Sequence, residues 1–170
     1  MIQSVRVLGL VCVLAAAARP ARAAVVQPLD LPDLCHDATL IVHGVVAGEE
    51  SAWRDGHIVT RVTIAVQKTL KGAQKRSVVI SLLGGVVGGI GQVAPGEATL
   101  STGEEVVLFA EPSGAGELRP VGLAQGLFHI GKDGAAVQQR TGLSFVGRAP
   151  PAPRYSLRAL LSAIRKQVAR

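Results

Sequence analysis

Residues 57–70 (HIVTRVTIAVQKTL) constrain the fold more than any other stretch of the chain. Ile58, Thr60, Val62, Ile64 and Val66 alternate with His57, Val59, Arg61, Thr63 and Ala65. Successive side chains of a strand point to opposite faces, so the first, more apolar set is predicted to face a core. The run is far longer than the usual strand of about five or six residues. Strands of this length commonly bend or bulge, as barrel strands do.

Other strand signals surround it. Residues 38–47 (ATLIVHGVVA) are rich in β-branched side chains, and Asp55-Gly56 is a favoured hairpin turn before the long run. Residues 77–83 place Val78, Ile80 and Leu82 on one face, and residues 84–96 are glycine-rich. Residues 104–111 are entered through Thr102-Gly103 and stopped by Pro112. Residues 117–123 and 126–131 read as two more strands, and 135–140 close a last hairpin on Asp133-Gly134. Short strands with glycine turns and no helices between them predict an all-β antiparallel barrel or sandwich. Ahead of it, residues 26–32 hold two prolines and read as an extended arm, and 33–37 as a helical turn. After it, residues 149–153 (APPAP) form a stiff spacer. The period then becomes helical at Leu157, Leu160, Leu161, Ile164 and Val168, with Ser156 as N-cap and Arg165, Lys166 and Arg170 in the last turns.

The first residues follow a different logic. Arg6 is a positive n-region, residues 7–18 are unbroken apolar, and Ala21-Arg22-Ala23 is a small-x-small cleavage site. This is the pattern of a secretory signal peptide cut after Ala23. The apolar run is shorter than the roughly 20 residues a spanning helix needs, and no later run reaches that length. Val11 stands before Cys12 where a lipobox requires a small residue. The expected organisation is a signal peptide over 1–23, an arm over 24–37, a β-barrel over 38–147, and a spacer with amphipathic helix over 148–170. The product is expected to be periplasmic or secreted. Cys35 is then the one cysteine left, without an intramolecular partner.

The formal charge of +6 suits a nucleic-acid binder only at first sight. Arg6, Arg19 and Arg22 belong to the leader, and residues 148–170 carry six basic residues and no acid. Residues 24–147 alone carry −3. Trp53, Phe109, Phe128, Phe145 and Tyr155 are the whole aromatic complement, too few for a stacking platform. Nucleic acid is therefore not an expected partner.

Catalytic and cofactor motifs do not assemble. Gly89-Ile90-Gly91-Gln92-Val93-Ala94 fits G-x-G-x-x-A, but Pro95-Gly96 follows where a helix must begin. His36, His43, His57 and His129 show no compact metal spacing, and the neighbours Cys35-His36-Asp37 rarely chelate one ion. His43 and His57 flank the first hairpin, where strand pairing can bring them together. The adjacent pairs Glu49-Glu50 and Glu104-Glu105 face opposite sides of a strand and make poor acid–base partners. No cofactor, metal or catalytic residue is expected. The expected contact surface is the glycine-rich loop, with Gly84, Gly85, Gly88, Gly89, Gly91 and Gln92, together with Gln125 in the following turn. The basic tail helix either docks its stripe on the barrel or lies on an anionic membrane as a peripheral contact.

The segments DATLIVHGVVAGEESAW, RDGHIVTRVTIAVQKTLKG, GGVVGGIGQVAPGE, STGEEVVLFAEP and VGLAQGLFHI resemble a family of small exported bacterial proteins of myxobacterial type, for which the resemblance implies no catalytic residue. It covers residues 33–147 and the tail helix. Asp37, Val42, Gly44 and Val46, the long strand ending Leu70-Lys71-Gly72, and Gly103-Glu104-Glu105-Val106-Val107-Leu108-Phe109 are also similar to the netrin and metalloproteinase-inhibitor type of barrel. That similarity implies an OB-like antiparallel barrel of five to seven strands. Inhibitors of that type ligate a catalytic zinc through a disulfide-bonded N-terminal cysteine. Here the mature end is Ala24 and Cys35 has no partner, so that mechanism does not carry over. The expected function is an exported, non-enzymatic binding or interaction module. A regulator or inhibitor of an exported protease is the alternative, and a hydrolase or metal-binding protein the second alternative. N-terminal sequencing of the exported product should begin at Ala24; a start at Cys12 would show lipid anchoring instead.

Overall fold

The long alternating run pairs with an equally long partner. The computed structural model describes residues 23–114, 116–148 and 150–169, so nearly all of the signal-peptide assignment lies outside the described residues. After β1 (Ala24–Val26) and α1 (Leu31–Asp37), strands β2 (Leu40–Arg54) and β3 (His57–Lys71) form an antiparallel hairpin. Its turn is Asp55-Gly56, with φ of 49° and 79°, the left-handed pair that suits the twist of a two-residue hairpin. β2 runs well past the β-branched 38–47 segment, because pairing with β3 draws Gly48–Arg54 into the ladder. The register slips at three places: Leu70 and Gln67 are extra on β3, and Ala47 is extra on β2. These bulges supply the bend that so long a strand requires.

The hairpin then closes on itself. β3 pairs with β4 (Ser77–Val87), β2 with β6 (Glu105–Pro112), and β6 with β7 (Leu118–Pro120), all antiparallel. One parallel bridge, Ile80 to Leu118, joins β7 to β4 and completes a five-stranded ring in the order β2-β3-β4-β7-β6. The fold is thus all-β with an OB-like barrel and a C-terminal helix. Inside the ring lie Val42, Val46, Val62, Ile64, Val78, Ile80, Leu82, Val106 and Leu108, all buried. Of the predicted inward set of β3, Ile58, Val62 and Ile64 are fully buried. Thr60 faces the same way and spends its hydroxyl on the Gly84 carbonyl at 2.6 Å.

A second core lies outside the ring. From β6 the sheet continues antiparallel through β8 (Leu127–Ile130), β9 (Ala135–Gln138) and β11 (Arg154–Ser156). Between β9 and β11, β10 (Leu143–Phe145) pairs in parallel with β1. Ile41, Val107, Phe109, Phe128 and Ala136 point away from the barrel and pack against Leu34 and Cys35 of α1 and Leu160 and Ile164 of α2 (Leu157–Val168). The Phe109 and Phe128 rings tilt together at 5.8 Å between centroids.

Two segments depart from the sequence reading. The 26–32 arm is cut short, because a capping box starts α1 at Leu31: the Asp33 N–H donates to Asp30 Oδ1 at 2.9 Å, and the Asp30 N–H donates to Asp33 Oδ2 at 3.0 Å. Pro32 then stands in the first turn, where its missing N–H costs nothing. The glycine-rich 84–96 stretch is not a loop. It is the end of β4 and β5 (Ile90–Val93), joined by Gly88-Gly89 with φ of 57° and 80°. Of the two alternatives for the tail helix, its apolar stripe takes the docked one. Leu160 and Ile164 are fully buried, and Leu157, Leu161 and Val168 pack around them. Peripheral membrane contact through that stripe would require the docked helix to leave the sheet.

Truncation at the helix interface, Leu160→Ala, should cost about 2–5 kcal/mol in urea unfolding. Gly44→Ala should cost about 1–3 kcal/mol by overpacking, since a Cβ there would collide with the Ala65 carbonyl across the bulge. Unchanged unfolding midpoints would contradict the packing described.

Candidate binding cleft

The outward-facing side chains of β3 and β4 form the floor of a cleft. Val59 and Leu83 are directly opposed in the ladder and face away from the barrel interior. One wall is the β2–β3 hairpin tip, with Arg54, Asp55 and His57. The other is the β6–β7 connection, with Ser113 and Glu117. Glu97, Glu111, Arg119, Pro120 and Leu123 are also among the lining residues of this cavity of about 500 Å³. In OB-type barrels this is the ligand-bearing region: the face of the second and third ring strands, between the first hairpin loop and the loop before the last strand.

Ion pairs span the cleft. Arg54 Nη1 donates to Glu117 Oε2 at 2.8 Å, tying the hairpin tip to the opposite wall. Arg119 lies opposite Glu111 in the β6–β7 ladder, and its Nη2 is 3.0 Å from Glu111 Oε1. Hydrogen bonds from Ser81 and Arg54 hold the Glu117 carboxyl below the usual range.

Glu97 behaves differently. Its Oε2 accepts the Leu83 N–H and its Oε1 the Ala98 N–H, both at 3.2 Å. Burial pushes its carboxyl above the usual range, while those two bonds and the charge of Arg119 pull the other way. Among the described residues it forms no ion pair.

The residues singled out from the sequence are distributed around this cleft rather than gathered in it. Gly84 follows Leu83 and pairs with Val93; Gly85 pairs with Gln92. A Cβ on Gly85 would overlap the Thr60 and Ser51 hydroxyls. Gln92 Oε1 accepts the Ile58 N–H at 2.9 Å, which holds the β4–β5 hairpin over the start of β3. Gly88 and Gly89 form the tip in open space, and Gly91 lies opposite Val86. Val86, Ile90 and Val93 remain exposed along this hairpin. Gln125 is 1% exposed and so contacts no partner in this arrangement. Its Oε1 accepts the Leu29 N–H at 2.8 Å, and its Nε2 donates to the Gln27 carbonyl at 3.1 Å, so it anchors the N-terminal arm.

The remaining reactive groups are dispersed. His43 and His57 do not meet: His43 pairs with Lys68 in the ladder and His57 with Arg54. His43 Nε2 lies 2.7 Å from Glu105 Oε1, and His129 Nδ1 lies 3.4 Å from Glu104 Oε2. The two adjacent glutamates thus serve different histidines. Cys35 is buried on α1, and burial pushes its thiol up to about 11. Among the described residues, no three His, Cys, Asp or Glu side chains are placed to hold a metal ion. No serine or cysteine there forms a hydrogen bond with a histidine.

Sequence reasoning passed over the cleft because His57 and Val59 belong to the alternate set assigned to solvent. Glu97 and Leu123 also lie far from that run. The available signal was the exposed leucine in the apolar 77–83 strand, whose alternation leaves Leu83 outside. No family model matches the chain, and no match to it was found among curated proteins.

A carbon-13 titration should place the Glu97 midpoint above that of the unfolded chain. The folded state then binds this proton more tightly, so the Glu97 contribution to stability falls as pH rises from the ordinary glutamate value through the raised one. A midpoint at or below the ordinary value would show that burial does not dominate.

Proposed function

We propose that the chain is an exported, non-enzymatic binding module that takes its ligand in the cleft over β3 and β4. The observation that carries this reading is the cavity of about 500 Å³ on the OB-type ligand face, with an apolar floor and a polar rim. Ligand sites characteristically fall between about 300 and 1,000 Å³ and combine apolar walls with a few convergent polar groups. The β4–β5 hairpin continues directly from Leu83, so its glycine-rich tip flanks the cleft as a secondary contact surface. The leader pattern over residues 1–23 supports an exported setting.

Charge argues against a nucleic-acid ligand. Asp55, Glu97, Glu111 and Glu117 line the cleft against Arg54 and Arg119, and both arginines are paired with carboxylates. A phosphate backbone would meet an acidic surface whose cations are already engaged.

Amide hydrogen exchange tests the reading. Residues 24–170, purified and mixed with concentrated periplasmic extract, should show slowed exchange at Val59, Leu83 and Leu123. Leu83→Arg, which fills the cleft from an exposed position, should abolish that protection. Protection confined to other faces, or retained in Leu83→Arg, would overturn the assignment.

A further inference from the structure

We propose that the cleft recognises an organic cation, a guanidinium or ammonium group on an apolar stem, with Glu97 as its counter-ion. This rests on reading the cleft as the ligand site and goes on to name the ligand's chemistry.

The charges of the lining single out one residue. Arg54 is matched by Glu117 at 2.8 Å and Arg119 by Glu111 at 3.0 Å, each close enough for a charge-assisted hydrogen bond. Asp55 sits on the exposed hairpin turn, where water solvates it. Glu97 is different on both counts: it is partly withdrawn from water, and among the described residues no cation forms an ion pair with it, since the nearby Arg119 charge is engaged by Glu111. A carboxylate taken from water needs a partner to recover its lost solvation. Two backbone N–H groups recover part of it and fix the side chain. Each oxygen accepts one of these bonds, so each keeps a further lone pair. Two fixed oxygens with spare lone pairs match the paired N–H groups of a guanidinium.

The walls define the rest of the ligand. Val59 and Leu83 on the floor and Pro120 and Leu123 at the side offer apolar surface next to Glu97. The stem of an arginine or lysine side chain covers such surface while its head stays paired. An anion would face uncompensated carboxylates. A neutral ligand would bury Glu97 further without supplying a charge. The same chemistry belongs to a free alkylguanidine or amine and to a basic side chain of an exported polypeptide.

The test uses isotope-labelled residues 24–170 and four probes: n-butylguanidinium, its neutral isostere n-butylurea, and the blocked tripeptides Ala-Arg-Ala and Ala-citrulline-Ala. Butylguanidinium should shift the Leu83 and Ala98 amide resonances, whose N–H groups hold Glu97. Butylurea should bind about tenfold more weakly or worse, the factor that loss of one charge-assisted hydrogen bond represents. Glu97→Gln should lose the same factor for the cation and none for the urea. Should that variant fail to fold, the comparison of cation with isostere on the natural sequence decides alone. Tighter binding of Ala-Arg-Ala than of butylguanidinium, with no gain for the citrulline peptide, supports the inference and assigns the cation to a polypeptide. Equal or weaker binding of Ala-Arg-Ala supports it and assigns a free small molecule. Equal affinity for butylurea and butylguanidinium in the cleft would overturn cation recognition while leaving the cleft as the ligand site. No shift with any probe would also overturn it, and the exchange experiment in extract would then judge the cleft separately.

Discussion

The structure depends on one pair of strands that is buried on both sides. β2 and β6 pair from Leu40–Ala110 to Val45–Glu105 and form the wall shared by the two cores. Val42, Val106 and Leu108 face the barrel interior, while Ile41, Val107 and Phe109 face the helices. Two-sided burial demands apolar residues at nearly every position, as in a sheet covered on both faces. The runs LIVHGVV and EVVLFA meet that demand. His43 is the polar exception, and Glu105 satisfies it at 2.7 Å where the wall reaches solvent. Gly44 is the steric exception, since β3 passes too close for any Cβ.

That wall decides which face of the barrel is left for a ligand. The helices and the β8-β9-β11 extension cover the outer side of β2 and β6. The helices reach β3 only at its end, where Leu70 packs on the second core; the outer side around Val59 and Leu83 is left open, and Leu83 stays 53% exposed there. The hairpin tip and the β6–β7 connection rise on either side of this face and are tied by Arg54 and Glu117. An exposed pair of this kind contributes little stability. Its effect is geometric, because it holds the two walls of the cleft at a set spacing. The basic tail fits the same division. Arg158, Arg165 and Lys166 lie on the exposed side of α2, and the helix is held by Leu160 and Ile164; among the described residues no ion pair ties α2 to the barrel. The Arg154–Asp133 contact at 2.9 Å is an exposed one at the helix's leading strand.

The glycine-rich stretch shows how composition can mislead about function. Its many glycines suit a mobile loop, yet at Gly84 and Gly85 they permit close packing. Gly84 has φ of 97° and Gly85 of 133°, and the Thr60 and Ser51 hydroxyls fill the space a side chain would take at Gly85. Gln92 continues the ladder with its side chain, accepting the Ile58 N–H just beyond the last β3–β4 pair, Val59–Leu83. Gln125 is read amiss for the opposite reason. A polar residue in a turn suits contact with a partner, but its amide closes the arm onto the barrel. In both cases the residue type states which hydrogen bonds are available, and only the neighbours state which are used.

Local signals in the sequence were enough for the strand class, the hairpin at Asp55-Gly56, the inward set of β3, and the amphipathic tail helix with its Ser156 cap. Each depends on a period or a turn within a few residues, so nothing distant needs to be known. The capping box at Asp30 and Asp33 is local too, and it outweighed the extended bias of the two prolines. Ring closure through Ile80 and Leu118, the second core, and the cleft were decided only in three dimensions. Leu83, Glu97 and Leu123 come from separate stretches, and Arg54 meets Glu117 across 63 residues of sequence. Alternation along a strand tells which residues leave the barrel interior. It does not tell which of those outward residues a helix will cover and which will be left to form a site.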